Sequence, residues 1–352
     1  MSEIEARNPG SGMIPFSILD LSPINEGGSA GRALANTLDL ARHGERLGFN
    51  RFWVAEHHNM PGIASAASAV VLAHVGAGTS SIRIGAGGVM LPNHAPLVIA
   101  EQFGTLAALF PGRVDLGLGR APGTDPVTAR ALRRTLSSPD EFPRDVVELM
   151  AYLGDPGPQQ IVRAVPGAGS HVPIWILGSS LYGAQVAAAL GLPFSFASHF
   201  APTHLMEAIR IYRERFEASA QLTRPYVMLG VNVVAAPSDA EARFLASSQR
   251  QSFTSLRQGH PIQLPPPSET WQKPVEPAAE PSELDRVLNA TVVGSPDTVM
   301  RLLEAFVERT GADELIITSQ IYDHAARLDS YRLVAEVRMK LAARLGQQPK
   351  MG

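Results

Sequence analysis

The stretch that most restricts this chain runs from Arg83 to Asp125, RIGAGGVMLPNHAPLVIAEQFGTLAALFPGRVDLGLGRAPGTD. Ile82 to Met90 is a β-branched apolar run interrupted by glycine, and Ala95 to Leu109 spaces its apolar residues as a helix does. Val114, Leu116 and Leu118 then alternate with Asp115, Gly117 and Gly119. Strand, helix, Pro-Gly turn and strand in that order form one βαβ unit, which demands parallel strands with a helix laid across them.

Glycine inside a strand weakens it, so Gly85, Gly87, Gly88, Gly117 and Gly119 ask for a reason. Bulges or tight barrel corners would supply one. Close approach of a bulky ligand to the backbone would supply another. Arg120 favours the second, because a permanent planar cation follows the second strand at its carboxyl end, where α/β folds place their ligands.

The alternation continues along the chain. Strands are expected at 14–21, 52–56, 82–90, 114–118, 173–177, 194–198, 226–234 and 314–318. Helices are expected between them, Ser29 capping the first and Gly48 ending it. The second helix is placed at 65–78, another at 143–153, and the last at 331–345. Eight strands with intervening helices predict a (β/α)8 TIM barrel with insertions. The predicted organisation is a flexible tail over 1–12, a single barrel domain over 13–345 and a tail over 346–352. Within the barrel, residues 259–283 hold seven prolines and few apolar anchors, longer than a barrel loop needs. A surface insertion or a lid over the catalytic face both account for it.

A net charge of −3 without a basic block argues against a nucleic-acid surface. No apolar run is long enough for a membrane span. The start MSEIEARNPGSG lacks the basic and apolar segments of a secretory signal, so a cytoplasmic protein is expected. The absence of cysteine removes disulfides, zinc-thiolate sites and thiol nucleophiles.

The stretches RFWVAEHHNMPGIASAA, the Gly88-flanking segment GGVMLPNHAPLVIAEQFGTLAALFPGRVDLGLGRAPGTD, and ILGSS resemble the bacterial luciferase-like, flavin-dependent monooxygenases, over roughly 13–345. That resemblance implies FMN, used in reduced form and delivered by a separate flavin reductase, with O2 activated at the C4a carbon of the ring to oxidise a small organic substrate. It also implies a homodimer paired through helices beside the second and third strands, where the Ala-rich helix over 65–78 would pack closely.

Glu56, His57 and His58 lie at the carboxyl end of the second strand, a catalytic position in a barrel. Adjacent residues of an extended strand face opposite ways, so one histidine of the pair is expected to face the mouth. The resemblance points to His57 as general base, with Glu56 and His58 orienting it. For Gly87 and Gly88 it implies a non-prolyl cis peptide beneath the flavin ring. Gly178, Ser179 and Ser180 open a helix and offer backbone N–H groups and hydroxyls suited to a phosphate. Simple helix capping would use the serines as well. Arg120 with this turn fits an anion, which the resemblance implies is an FMN phosphate, and no GxGxxG or GxxxxGK motif competes with it. His94 and His199 follow further strands, facing substrate or satisfying loop backbone. Thr124 and Asp125 fix the loop after Arg120 or bind ligand.

Three other readings stand beside this one. The first is a deazaflavin (F420)-dependent oxidoreductase, and the second a flavin-binding barrel without catalysis. The third is a metal-dependent hydrolase using His57, His58, His94, Asp115 and His199; the missing HxH pair on the first strand speaks against it, and no metal is expected. Substrate identity and light emission are not legible.

Overall fold

The structure is a computed structural model of the chain and describes residues 14–120, 125–133, 141–271 and 290–345. The predicted tails, Thr124 and the second half of the Pro-rich segment, 272–283, lie outside the described residues.

Nine strands are present among these. They are β1 (Phe16–Asp20), β2 (Arg51–Val54), β3 (Arg83–Met90), β4 (Val114–Gly119), β5 (Ile174–Gly178), β6 (Phe194–Phe196), β7 (Val227–Ala235), β8 (Thr291–Gly294) and β9 (Glu314–Thr318). All pairings between them are parallel, and the order β1 to β7 followed by β9 closes on itself into an eight-stranded barrel. The expected (β/α)8 barrel is therefore the fold.

The strand that sequence reading did not place is β8. It pairs with Asn232 to Ala235 at the far end of β7. At nine residues β7 outruns the barrel wall, so its last turn of ladder is free to take a short extra strand outside the closure.

Helices cover the outside: α1 (Ala30–Arg46), α2 (Ser68–Ala77), α3 (Pro96–Leu109), α4 (Pro126–Ala131), α5 (Phe142–Leu153), α6 (Leu181–Ala189), α7 (Leu205–Glu214), α8 (Asp239–Arg257), α9 (Pro296–Thr310) and α10 (His324–Leu345). Ser29 caps α1 through Arg32 N, as its position predicts. The second helix starts three residues later than expected, because the Ser65 hydroxyl turns inward and donates to Ala55 O at 2.6 Å. The last helix starts earlier, at His324, where the Asp323 carboxylate accepts from Ala326 N at 2.8 Å and opens the first turn. No described helix is long and apolar enough to cross a membrane.

Each strand alternates between two environments. Ile18, Phe52, Ile84, Leu116, Ile176, Leu229 and Ile317 face out into the main core beneath the helices. The alternate positions fill the barrel in layers. At the amino-terminal end Arg51 bonds Glu314 through Nε at 2.8 Å and Asp115 through Nη1 at 2.7 Å. Arg83 adds a second ion pair to Asp115 at 2.6 Å, and Tyr226 donates to Glu314 at 2.9 Å. Above this plug Leu19, Trp53, Trp175, Met228 and Ile316 make an apolar layer. Trp53 and Trp175 meet edge to face at 5.3 Å, and Tyr226 packs on Trp175 at 5.7 Å.

This layering accounts for part of the glycine pattern. A Cβ on Gly85 would lie 2.6 Å from Trp53 Nε1, and one on Gly117 only 2.2 Å from Ala86 O. The bulky group against these two glycines is the protein itself: the Trp53 ring packs against Gly85, and the Ala86 backbone and the Leu177 side chain close on Gly117.

Candidate active site

Above the tryptophan layer the barrel opens at the carboxyl ends of its strands into a cavity of about 2000 Å³. Leu19, Trp53 and Ile316 form its floor. His57, His58, Gly87, Gly88, His94, Arg120, Gly178, Ser179, Ser180 and His199 all line this cavity, whereas Glu56 is buried. Glycines 87, 88 and 119 reach the cavity, whereas Gly85 and Gly117 do not.

The Gly87–Gly88 peptide is cis, as the resemblance implies. The ladder between β3 and β4 shifts register between Ala86 and Val89, so a bulge is present here too. A Cβ on Gly88 would lie 2.7 Å from Gly117 O and 2.9 Å from its carbonyl carbon. Absence of side chains lets the two backbones touch and leaves this wall of the cavity flat.

One strand beyond β4 lies the candidate anion site. Gly178 ends β5, Ser179 follows, and Ser180 is the N-cap residue of α6. The Ser180 side chain makes no capping hydrogen bond, so capping does not explain this serine. Arg120 extends from the end of β4 and lays its guanidinium over the Tyr182 ring, 4.3 Å from the centroid, beside the first turn of α6. A cation, an uncapped helix amino terminus and a hydroxyl thus meet at one place. Asp125 serves the local structure, capping α4 by accepting from Val127 N at 2.8 Å and Thr128 N at 3.0 Å.

The histidines are arranged otherwise than the alternation predicts. β2 ends at Val54, so the chain is no longer an extended strand at Glu56, and both His57 and His58 line the cavity. Nor do the hydrogen bonds of Glu56 go to His57. Its Oε1 accepts from His58 Nε2 and from His94 Nε2, both at 2.8 Å. Burial pushes the Glu56 pKa up, but the bonds from His94 and then His58 more than offset this and hold the carboxylate below its usual range.

His199 is the outlier among them. Burial, and then the nearby His57, lower its pKa to about 4, which keeps the imidazole neutral. Its Nδ1 has no hydrogen-bond partner among the described residues. The backbone at His199 is pinned by Asn232, whose Nδ2 donates to His199 O at 2.9 Å, while Gln249 Nε2 on α8 donates to Asn232 Oδ1 at 2.7 Å. Both Asn232 and Gln249 line the cavity. Sequence reading missed them, although a single asparagine in the apolar run VMLGVNVVA was the available signal.

The hydrolytic reading loses its ligand set. Asp115 lies at the opposite end of the barrel, bound by Arg51 and Arg83, and cannot join the histidines. The described part of the Pro-rich segment crosses the mouth instead of leaving it. Leu264 N donates to Ile24 O at 2.9 Å, Glu26 N to Leu264 O at 2.8 Å, and Ile24 N to Gly62 O at 2.9 Å.

Comparison with known proteins agrees with this geometry. A luciferase-like monooxygenase of Escherichia coli (strain K12) is 51% identical over 329 residues, covering 93% of this chain and 98% of its own. Among solved structures, apo-MsnO8 is 38% identical with a TM-score of 0.85, covering 93% of this chain and 99% of its own. The oxygenating constituent of 3,6-diketocamphane monooxygenase from Pseudomonas putida, solved with FMN, shares the fold at 18% identity and a TM-score of 0.69, covering 93% of this chain and 98% of its own. The sequence model of the luciferase-like monooxygenases matches residues 14–314, and with a barrel that closes as theirs does, this chain belongs to that family.

Proposed function

We propose that the protein is an FMN-dependent monooxygenase that receives reduced FMN from a separate flavin reductase and oxidises a small organic substrate with O2. One observation carries the reading: the side-chain-free wall at Gly87–Gly88, the Arg120 guanidinium and the uncapped amino terminus of α6 face a single cavity. The residues fit the cofactor. Arg120, Ser179, Ser180 and the first N–H groups of α6 would hold its phosphate, and the flat glycine wall would receive its ring system. Bound reduced FMN supplies the electrons that send one oxygen atom of O2 to water while the other enters the substrate.

The chain itself does the rest. His57 is the residue for taking up a proton at its imidazole beside the ring. His199, kept neutral, adds no positive charge there. Phe200, Phe253, Leu256 and Met60 give the outer cavity an apolar wall, which holds an organic substrate and excludes water. The cavity is large enough for cofactor and substrate together. The proposed homodimer pairs through α2 and α3, and sedimentation at micromolar concentration tests it.

Titration with FMN, riboflavin and the deazaflavin F420 tests the main reading. FMN is expected to bind tightest, and Arg120→Met to weaken FMN by about tenfold or more while leaving riboflavin nearly unchanged. Preference for F420, or equal affinity for FMN and riboflavin in the native protein, overturns it.

A further inference from the structure

The meeting of Glu56, His58 and His94 exceeds what hydrogen bonding requires. A carboxylate has two oxygens with about four lone-pair sites between them, and two imidazole donors can take one oxygen each. Here both Nε2 atoms close on the same atom, Oε1, at 2.8 Å each. The three atoms lie within 4.8 Å of one another, and no other trio of His, Asp or Glu among the described residues does so. The ring centroids are 6.4 Å apart and the planes tilted by 48°, so the imidazoles fan out from the shared point and do not stack.

We propose that Glu56 Oε1, His58 Nε2 and His94 Nε2 bind a divalent first-row transition ion of the zinc class, with a fourth position open toward the cavity. The ligands come from two strand ends, Glu56 and His58 from the segment after β2 and His94 from the turn after β3. The barrel wall therefore holds them in place before any ion arrives. Zinc bonds of about 2.0–2.2 Å place tetrahedral ligands about 3.4 Å apart. The present O to N distances need to open by only about half an ångström to reach that spacing. Zinc takes up the Nε2 lone pairs, the proton on each Nε2 passing to Nδ1 or to solvent, and nothing is oxidised or reduced. Two imidazoles with a single carboxylate favour zinc over magnesium or calcium, which prefer all-oxygen sets. The carboxylate side chain is 2% exposed, while the rings of His58 and His94 are 17% and 28% exposed, so an ion has access from the cavity side. Three protein ligands with one open position is the arrangement of zinc sites that polarise a bound molecule.

The experiment is calorimetric titration of the EDTA-stripped full chain with zinc chloride, in competition with a chelator of known affinity. One zinc ion per chain is expected, with micromolar affinity or tighter. His94→Ala and Glu56→Gln are each expected to weaken it by about tenfold or more, and His171→Ala, at a surface pair with Asp155, to leave it unchanged. Should the buried Glu56 variant not fold, the partly exposed His94→Asn carries the same test. Absence of saturable binding, or binding that survives loss of His94, overturns the proposal. FMN titration of the same samples reports separately on the flavin reading, so either can fail alone.

Discussion

The His199 imidazole occupies the space that a side chain at position 230 would need: a Cβ built on Gly230 lies 2.0 Å from His199 Nδ1. β7 thus gives up a side chain at position 230 so that a histidine from the segment after β6 can bring the Nδ1 edge of its ring against the backbone. Gly230→Ala is expected to eject the ring and to destabilise the fold by about 1–3 kcal/mol, the usual range for overpacking. Urea denaturation measures the loss, and a fall in ligand affinity at equal folded fraction reports the displaced ring.

Burial of that ring gives stability an acid limb. The folded-state pKa of His199, about 4, lies below the 6.5 of a free imidazole. Between those values the unfolded chain takes up a proton that the folded chain refuses. The contribution is therefore full above about pH 6.5 and is lost as the pH falls toward 4, amounting to roughly 3 kcal/mol at the acid end. In His199→Gln the slope of unfolding free energy against pH should flatten across this window; an unchanged slope would place the acid sensitivity elsewhere.

The charged plug and the cavity are separate layers, and a variant can show it. Arg51→Met leaves Asp115 and Glu314 buried with one cation fewer, a change expected to cost about 3–5 kcal/mol. Because the tryptophan layer lies between, FMN affinity measured below the denaturation range should move less than about twofold.

Gly62 controls the crossing segment at the mouth. A Cβ there would meet Ile262 O at 2.5 Å, and backbone cannot yield as a side-chain tip can. Gly62→Ala is expected to loosen residues 259–264 and to speed limited proteolysis there by about tenfold, with FMN slowing cleavage of the native chain. Equal cleavage with and without FMN would argue that the segment is no lid.

Much of this was legible because barrels repeat. The alternation of Val114, Leu116 and Leu118 with Asp115, Gly117 and Gly119 gave the strand and its two faces, and the same period gave most of the others. The residues after the strand ends could be named as a set because all eight strands run the same way, so their carboxyl ends share a rim. What failed were details that depend on where a strand stops. β2 ends two residues before Glu56, which brought both His57 and His58 to the cavity. β8 is four residues long and exists only because β7 outruns the barrel wall.

By itself, then, the sequence determined the period of the chain, the parallel closed sheet, and which chemical groups collect at one end of it. Which groups touch was decided by the tertiary structure alone. Glu56 and His94 are 38 positions apart, and Gly230 lies within β7 while His199 comes from the segment after β6. Periodicity fixes the face on which a side chain lies, but a contact across a barrel depends on the curvature and stagger of the whole wall, and no local pattern encodes that.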